Sequence, residues 1–292
     1  HQNADIICLQ EYSRRVRKPL NILPYSYRTP NGLGKSLQVI YSKYPIVFKG
    51  SLNFPNSSNN TIFADFLIGK DTLRVNTTGH SGVAVGKDAL AANTTGNYNV
   101  AVGVDALTTN TTGGENTAVG IQAMMQNTTG ASNTAMGTSV LDANTEGSNN
   151  TAIGASALGL NTTGTRNTAL GGAALTASTT ANDNTALGYQ AMTATTTGTG
   201  CVAVGRSALV ANTTGGSNTA LGFATLGSNT TGSANVAIGA DALVASTTGD
   251  NNVAVGNTAL DANTTGSNNV AVGITALGSN TTGANNIGIG NS

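Results

Sequence analysis

NVAVGNTALDANTTGSN (residues 252–268) is followed without a gap by NVAVGITALGSNTTGAN (residues 269–285). The two seventeen-residue blocks share their NVAVG, AL and NTTG segments, and the same frame runs back through most of the chain. The glycine closing each AVG-like triplet recurs from Gly86 and Gly103 to Gly290, thirteen times at an interval of seventeen. A second glycine series, Gly79 to Gly283, keeps the period with Ala181 as its one exception. No insertion or deletion disturbs the phase. A loop-rich globular domain tolerates length changes, whereas a stack of identical coils does not.

Inside the unit, the three residues before the first glycine read branched, small, branched, as in Val100-Ala101-Val102 and Thr151-Ala152-Ile153. That is the period-two pattern of a strand. A second apolar pair, such as Ala89–Leu90 or Ala259–Leu260, is the other segment each coil buries. Seventeen residues are too few for a helix–turn–helix unit, and two glycines beside a β-branched run oppose helix. A disordered linker has no reason to return an apolar residue to one phase thirteen times. The expected fold is therefore all-β: a parallel β-solenoid, or β-roll, of about thirteen coils over residues 76–292. Coils about 4.8 Å apart make a rod of roughly 60 Å, and each has contour for two short strands and two turns. Glycines supply the turn conformations. Asparagines such as Asn99, Asn116 and Asn133 are expected in left-handed turns and in amide ladders between coils.

Composition separates two parts. Residues 1–80 hold all five prolines, nine of the twelve aromatics and ten of the thirteen Lys/Arg. Residues 81–292 keep only Tyr98, Tyr189 and Phe223 as aromatics, with three basic against nine acidic residues. The acidic balance argues against nucleic-acid binding there. The cluster Arg14, Arg15, Arg17 and Lys18 reads as a solvated surface. Cys8 and Cys201, one in each part, make neither a disulfide framework nor a metal spacing. Nothing resembles a membrane span or a signal peptide. The chain opens on His1 and stops inside a repeat, as part of a longer protein would.

The units NVAVG, NTAIG and NVAIG, each trailed by a short spacer and AL, resemble the head repeats of trimeric autotransporter adhesins and related bacteriophage tail-fibre repeats. The resemblance covers about Gly79–Asn291. The adhesin unit is shorter and lacks the NTTG turn, so the long-turn fibre variant is the nearer one. It implies a parallel β-roll assembled as a homotrimer, a cell-surface glycan or protein receptor, and a place outside the cell, on its surface or on a virion. A core without aromatics is thin, and three chains would add apolar area. Either the alanine face or the branched face of the strand must point outward as an uncharged stripe. On the alanine choice, Ala152→Asp is expected to dissociate the assembly.

Residues 1–75 show strand-like runs at Asp5–Leu9, Leu37–Tyr41, Ile62–Ile68 and Thr72–Val75. ADIICLQEY, QVIYSKYPIV and NNTIFADFLIGKDTLRV resemble the endonuclease/exonuclease/phosphatase superfamily, a four-layer α/β fold that hydrolyses phosphoesters with Mg²⁺. This part reads as a truncated α/β fragment. The resemblance makes Glu11, of LQE, a metal ligand, and a strand-end carboxylate suits Mg²⁺. The family's Asp–His pair has no counterpart: the two histidines are His1 and His80, the latter in a repeat turn. One carboxylate cannot both hold a metal and activate water. No catalytic residue, no cofactor and no phosphoesterase activity are expected.

Two further motifs are set aside. GLGKS (32–36) has Thr29 where a phosphate loop needs its first glycine. The NTT turns match a glycosylation pattern but read as a duplicated turn. The leading functional reading is a structural or adhesive segment, a stiff spacer presenting binding surface. The alternatives are a metal-dependent phosphoesterase with a repetitive tail, and an ice-binding solenoid using the recurrent Thr-Thr pairs.

Overall fold

The computed structural model describes residues 71–291 and, before them, the backbone of six short strands. These are β1 (Ile6–Leu9), β2 (Tyr25–Arg28), β3 (Val39–Ser42), β4 (Gly50–Leu52), β5 (Thr61–Phe63) and β6 (Phe66–Ile68). β1, β3 and β2 pair antiparallel in that order, as do β4 and β5. Glu11, the Arg14–Lys18 cluster and GLGKS lie outside the described residues.

From Val83 onward every coil contributes one three-residue strand, β7 (Val83–Val85) to β19 (Ile287–Ile289), each seventeen residues after the last. All are parallel and in register: Thr134 faces Thr151, Ala135 faces Ala152 and Met136 faces Ile153. β6 joins the same sheet, with Phe66 opposite Val83, again seventeen apart. The sheet thus has fourteen strands, and no helix occurs among the described residues. Residues 71–291 form a β-solenoid.

The strand alternation resolves with alanine inside. Ala84, Ala101, Ala118 and their equivalents to Ala271 are fully buried, and the flanking branched residues face out. The alanine choice for the outward stripe is therefore corrected. Ala152→Asp would place a charge inside the coil and unfold it rather than separate chains.

The Ala–Leu segment is buried as expected, but it is not a second strand. The Ala89 and Ala91 N–H groups donate to the Gly86 and Asp88 carbonyls, forming consecutive turns, while the Leu90 N–H donates to Ala106 O of the next coil at 3.0 Å. The leucine column adopts positive φ, 51° at Leu90 and 50° at Leu158. The left-handed region costs about 1–2 kcal/mol for a residue with a Cβ. Full burial of a leucine contributes about 1.5–3 kcal/mol, and the coil-to-coil bond adds about 1 kcal/mol, so the strained conformation holds. Thr72–Val75 belongs to such a turn rather than to a strand, and Leu73 takes the leucine position with φ 44°.

Asn99, Asn116 and Asn133 do form a ladder, though they are not themselves left-handed; the left-handed asparagines are Asn149, Asn251, Asn268 and Asn285, each one position before a ladder asparagine. In the first column Asn116 and Asn133 are buried, and each backbone N–H donates to the amide oxygen of the coil before it (Asn116 N to Asn99 Oδ1, 3.0 Å). Each Nδ2 donates to a glycine carbonyl, Asn99 to Gly113 at 2.8 Å. Positive φ falls on the residue just before this asparagine, Tyr98, Glu115 or Ser132, because the chain turns one step earlier. In the second column Asn110 Nδ2 donates both to Asn93 Oδ1 (2.7 Å) and to Gly113 O (2.9 Å).

The two glycine series have different reasons. The AVG glycines need positive φ, 138° at Gly120. The NTTG glycines need bareness: a Cβ on Gly96 would fall on the Gly113 carbonyl oxygen and on Asn93 Oδ1. Ala181 is tolerated where the asparagine of that corner is replaced by the shorter Ser178.

Candidate interaction surfaces

The interior is filled, so anything this solenoid recognises meets its outer columns. Among the described residues no three His, Cys, Asp or Glu side chains gather as metal ligands. No helix among them is long and apolar enough to cross a membrane.

The sheet presents two columns outward. One mixes Thr and Val, with a run of five threonines from Thr117 to Thr185, and ends on Ile287. The other is aliphatic throughout, from Val85 through Met136, Ile153, Leu170, Leu187 and Leu221 to Ile289. Met136 and Leu221 are both 46% exposed. The face is about 60 Å by about 10 Å, on the order of 600 Å², at the upper end of what soluble monomers leave open.

The NTTG corners present threonine. The first hydroxyl of each pair is tied down: Thr111 Oγ1 donates to Thr128 O at 3.0 Å and Thr128 Oγ1 to Thr145 O at 3.0 Å. That carbonyl also receives three backbone N–H groups, from Thr111, Thr112 and Gly113 in the Thr128 case. The second threonine is exposed, giving one file of hydroxyls, Thr95, Thr112, Thr129 and onward, interrupted by Glu146. The asparagine of these corners is buried with its amide in a ladder, as at Asn110 and Asn127. The glycosylation pattern therefore has no accessible acceptor at those positions.

The column just after the strand glycine varies from coil to coil. It holds Lys87, Val104, Ile121, Thr138, Tyr189, Arg206, Phe223, Asn257 and Ile274. Tyr189 and Phe223 are 55% and 50% exposed, and the Arg206 guanidinium carbon lies 5.7 Å from the Phe223 ring centroid. Sequence reasoning passed over this group. Its signal was present: three consecutive coils place Tyr, Arg and Phe at one phase.

Two of the three repeat cations are paired. Lys87 meets Asp88 at 3.1 Å, and the hydrogen bond to that carboxylate raises the Lys87 pKa. Arg166 grips Asp183 with two bonds, Nε to Oδ1 at 2.6 Å and Nη2 to Oδ2 at 3.0 Å. That hydrogen bonding holds the Asp183 carboxyl below its ordinary range, against the opposing effect of desolvation.

Cys201 takes the place of an asparagine in the first ladder. Its N–H still donates to Asn184 Oδ1 at 2.9 Å, and its thiol faces the Gly215 carbonyl at 3.4 Å. Burial pushes the thiol pKa up, so it sits as an inert core group.

Comparison with protein-family models, with curated proteins and with solved structures finds no match. The fold is compatible with a structural repeat or with a solenoid of the ice-binding kind, and it is consistent with a protein that is not an enzyme.

Proposed function

We propose that the solenoid is the repetitive rod of a surface adhesin or a phage tail fibre, a stiff spacer that carries binding surface outside the cell, at its surface or on a virion. The observation that carries this reading is the unbroken register of thirteen repeat strands over a filled interior. Each coil bonds the next through strand and turn, and nearly every coil through an amide ladder as well, so bending the rod would break several rows of bonds at once. Nothing in this reading requires a cofactor.

The rod works as a parallel homotrimer in this reading, with the aliphatic sheet column turned toward two neighbouring chains. The support is the continuous apolar face, which association would cover. Light scattering on the full chain tests it: three times the monomer mass is expected, and Ile153→Asp with Leu187→Asp should reduce it to one. A stable monomer of the parent protein at micromolar concentration would overturn the trimer, and a flexible, non-rod scattering profile would overturn the spacer.

The file of exposed second threonines favours ice binding as a second reading. Thermal hysteresis in the purified protein would establish it over the first. No hydrolysis of a generic phosphodiester with Mg²⁺ is expected, and turnover lost in Glu11→Ala would show otherwise.

A further inference from the structure

Three of the solenoid's least repetitive residues stand together at Tyr189, Arg206 and Phe223. Residues 81–292 contain three aromatics and three cations, and half of them are accounted for locally. Tyr98 packs edge-on against His80, ring centroids 5.4 Å apart. Lys87 and Arg166 are held by carboxylates. Arg206 has no carboxylate within ion-pair distance among the described residues, and its flank carries the uncharged Gln190, Ser207 and Ala224. It is a free cation set between two half-exposed rings, one coil before it and one coil after.

The two rings are not equivalent. Arg206 lies over Phe223, which fixes the guanidinium in an orientation and lowers the entropy lost on pairing with an anion. Tyr189 leans the other way, toward Gly172. A Cβ built there would lie 3.5 Å from Tyr189 Cδ2, so the ring rests against the bare Gly172 backbone. Tyr and Arg therefore lean apart, with aromatic surface, cation and aromatic surface in a row about 10 Å long.

We propose that Tyr189, Arg206 and Phe223 form a binding patch for an acidic saccharide, a sugar that bears a carboxylate. The apolar C–H face of a pyranose ring would lie on an exposed aromatic face, and its carboxylate would take the bidentate pairing a guanidinium offers. A peptide fits less well. Strand N–H and carbonyl groups here are consumed by coil-to-coil pairing, as between Leu187 and Val204, so no edge is open for strand addition. A nucleic acid is disfavoured by a single free cation on an acidic rod.

The proposal rests on the adhesive reading of the rod and names the class of ligand. The test titrates the full chain with glucuronate- and sialate-bearing oligosaccharides, their neutral counterparts and poly-glutamate, with scattering recorded on the same samples. Saturable binding of an acidic saccharide is expected. Arg206→Gln should weaken it about tenfold or more, as loss of a charge-assisted pair requires. Tyr189→Ala with Phe223→Ala should do the same. These are exposed positions, so each variant should keep the parent's denaturation midpoint. Binding of neither acidic saccharide, equal binding of neutral sugars or poly-glutamate, or full affinity in Arg206→Gln would each overturn the patch. If sugar fails to bind while scattering still reports an intact rod, the patch alone falls; a chain that is no rod removes the adhesive reading itself.

Discussion

Ser246→Asn should stabilise the solenoid, because it repairs a break in the second amide ladder. In that column Asn229 Nδ2 donates to Asn212 Oδ1 and to Gly232 O, both at 2.9 Å. The next coil offers Ser246, whose side chain is too short to continue. Asn229 Oδ1 and Ser246 Oγ are both buried without a partner, and Asn263 Nδ2 bonds only its own Gly266 carbonyl, at 3.0 Å. An asparagine at 246 would donate to Asn229 Oδ1 and Gly249 O and accept from Asn263 Nδ2. Three bonds at about 1 kcal/mol net each, less about 1 kcal/mol for ordering the longer side chain, give about 2 kcal/mol. The gain is read as a higher denaturant midpoint by circular dichroism at unchanged slope, with slower amide exchange in the 246–249 corner. Ser178 supplies the internal control. It breaks the same ladder and leaves Asn161 Oδ1 orphaned, but its coil carries Ala181 in place of glycine. An asparagine there would meet the Ala181 methyl, as a Cβ on Gly164 would meet Asn161 Oδ1. Ser178→Asn alone should fail to stabilise, and Ser178→Asn with Ala181→Gly should succeed. A midpoint that does not rise in Ser246→Asn, or one that rises equally in the single Ser178→Asn variant, would refute the ladder accounting.

Cys201→Asn should add about 1–2 kcal/mol by restoring an amide oxygen for the Asn218 N–H, which now faces only a thiol; a lower denaturant midpoint than the parent would count against it. Ala234→Gly should stabilise by up to about 1 kcal/mol, read as a higher midpoint, since Ala234 is exposed at φ 57° and Gly200 already fills the equivalent position two coils earlier; no change would mean that the strain is absent. Asp142 carries a buried, unpartnered Oδ1, and desolvation raises its pKa. The native state therefore binds that proton more tightly than the unfolded chain. The contribution is fully present below the ordinary Asp range and is lost as pH rises through the raised native value. Asp142→Asn should accordingly stabilise at pH 7 and make little difference near pH 3. An equal effect at both would show that charge burial is not the cause.

Much of this fold is legible in the sequence. Period, strand phase and parallel register come from glycines that never leave step, because a stacked coil has no place for an inserted residue. That Ala89–Leu90 and its copies are buried is a matter of hydrophobicity alone, and Tyr189, Arg206 and Phe223 become one column once the period is known. Three things needed the tertiary structure. Alternation shows that a strand has two faces but not which is inner. Here the coil's width decides: with a leucine reaching in from the turn side, only a methyl fits on the strand side, so Ala152 is inside and Ile153 outside. The positive φ of Leu90 and Leu158 has no local signature, since leucine does not favour it; the bond to the next coil and the burial of the side chain impose it. The unpartnered amide at Asn229 arises from Ser246, seventeen residues away, and becomes an energetic fact only when stacking sets the two side chains one above the other.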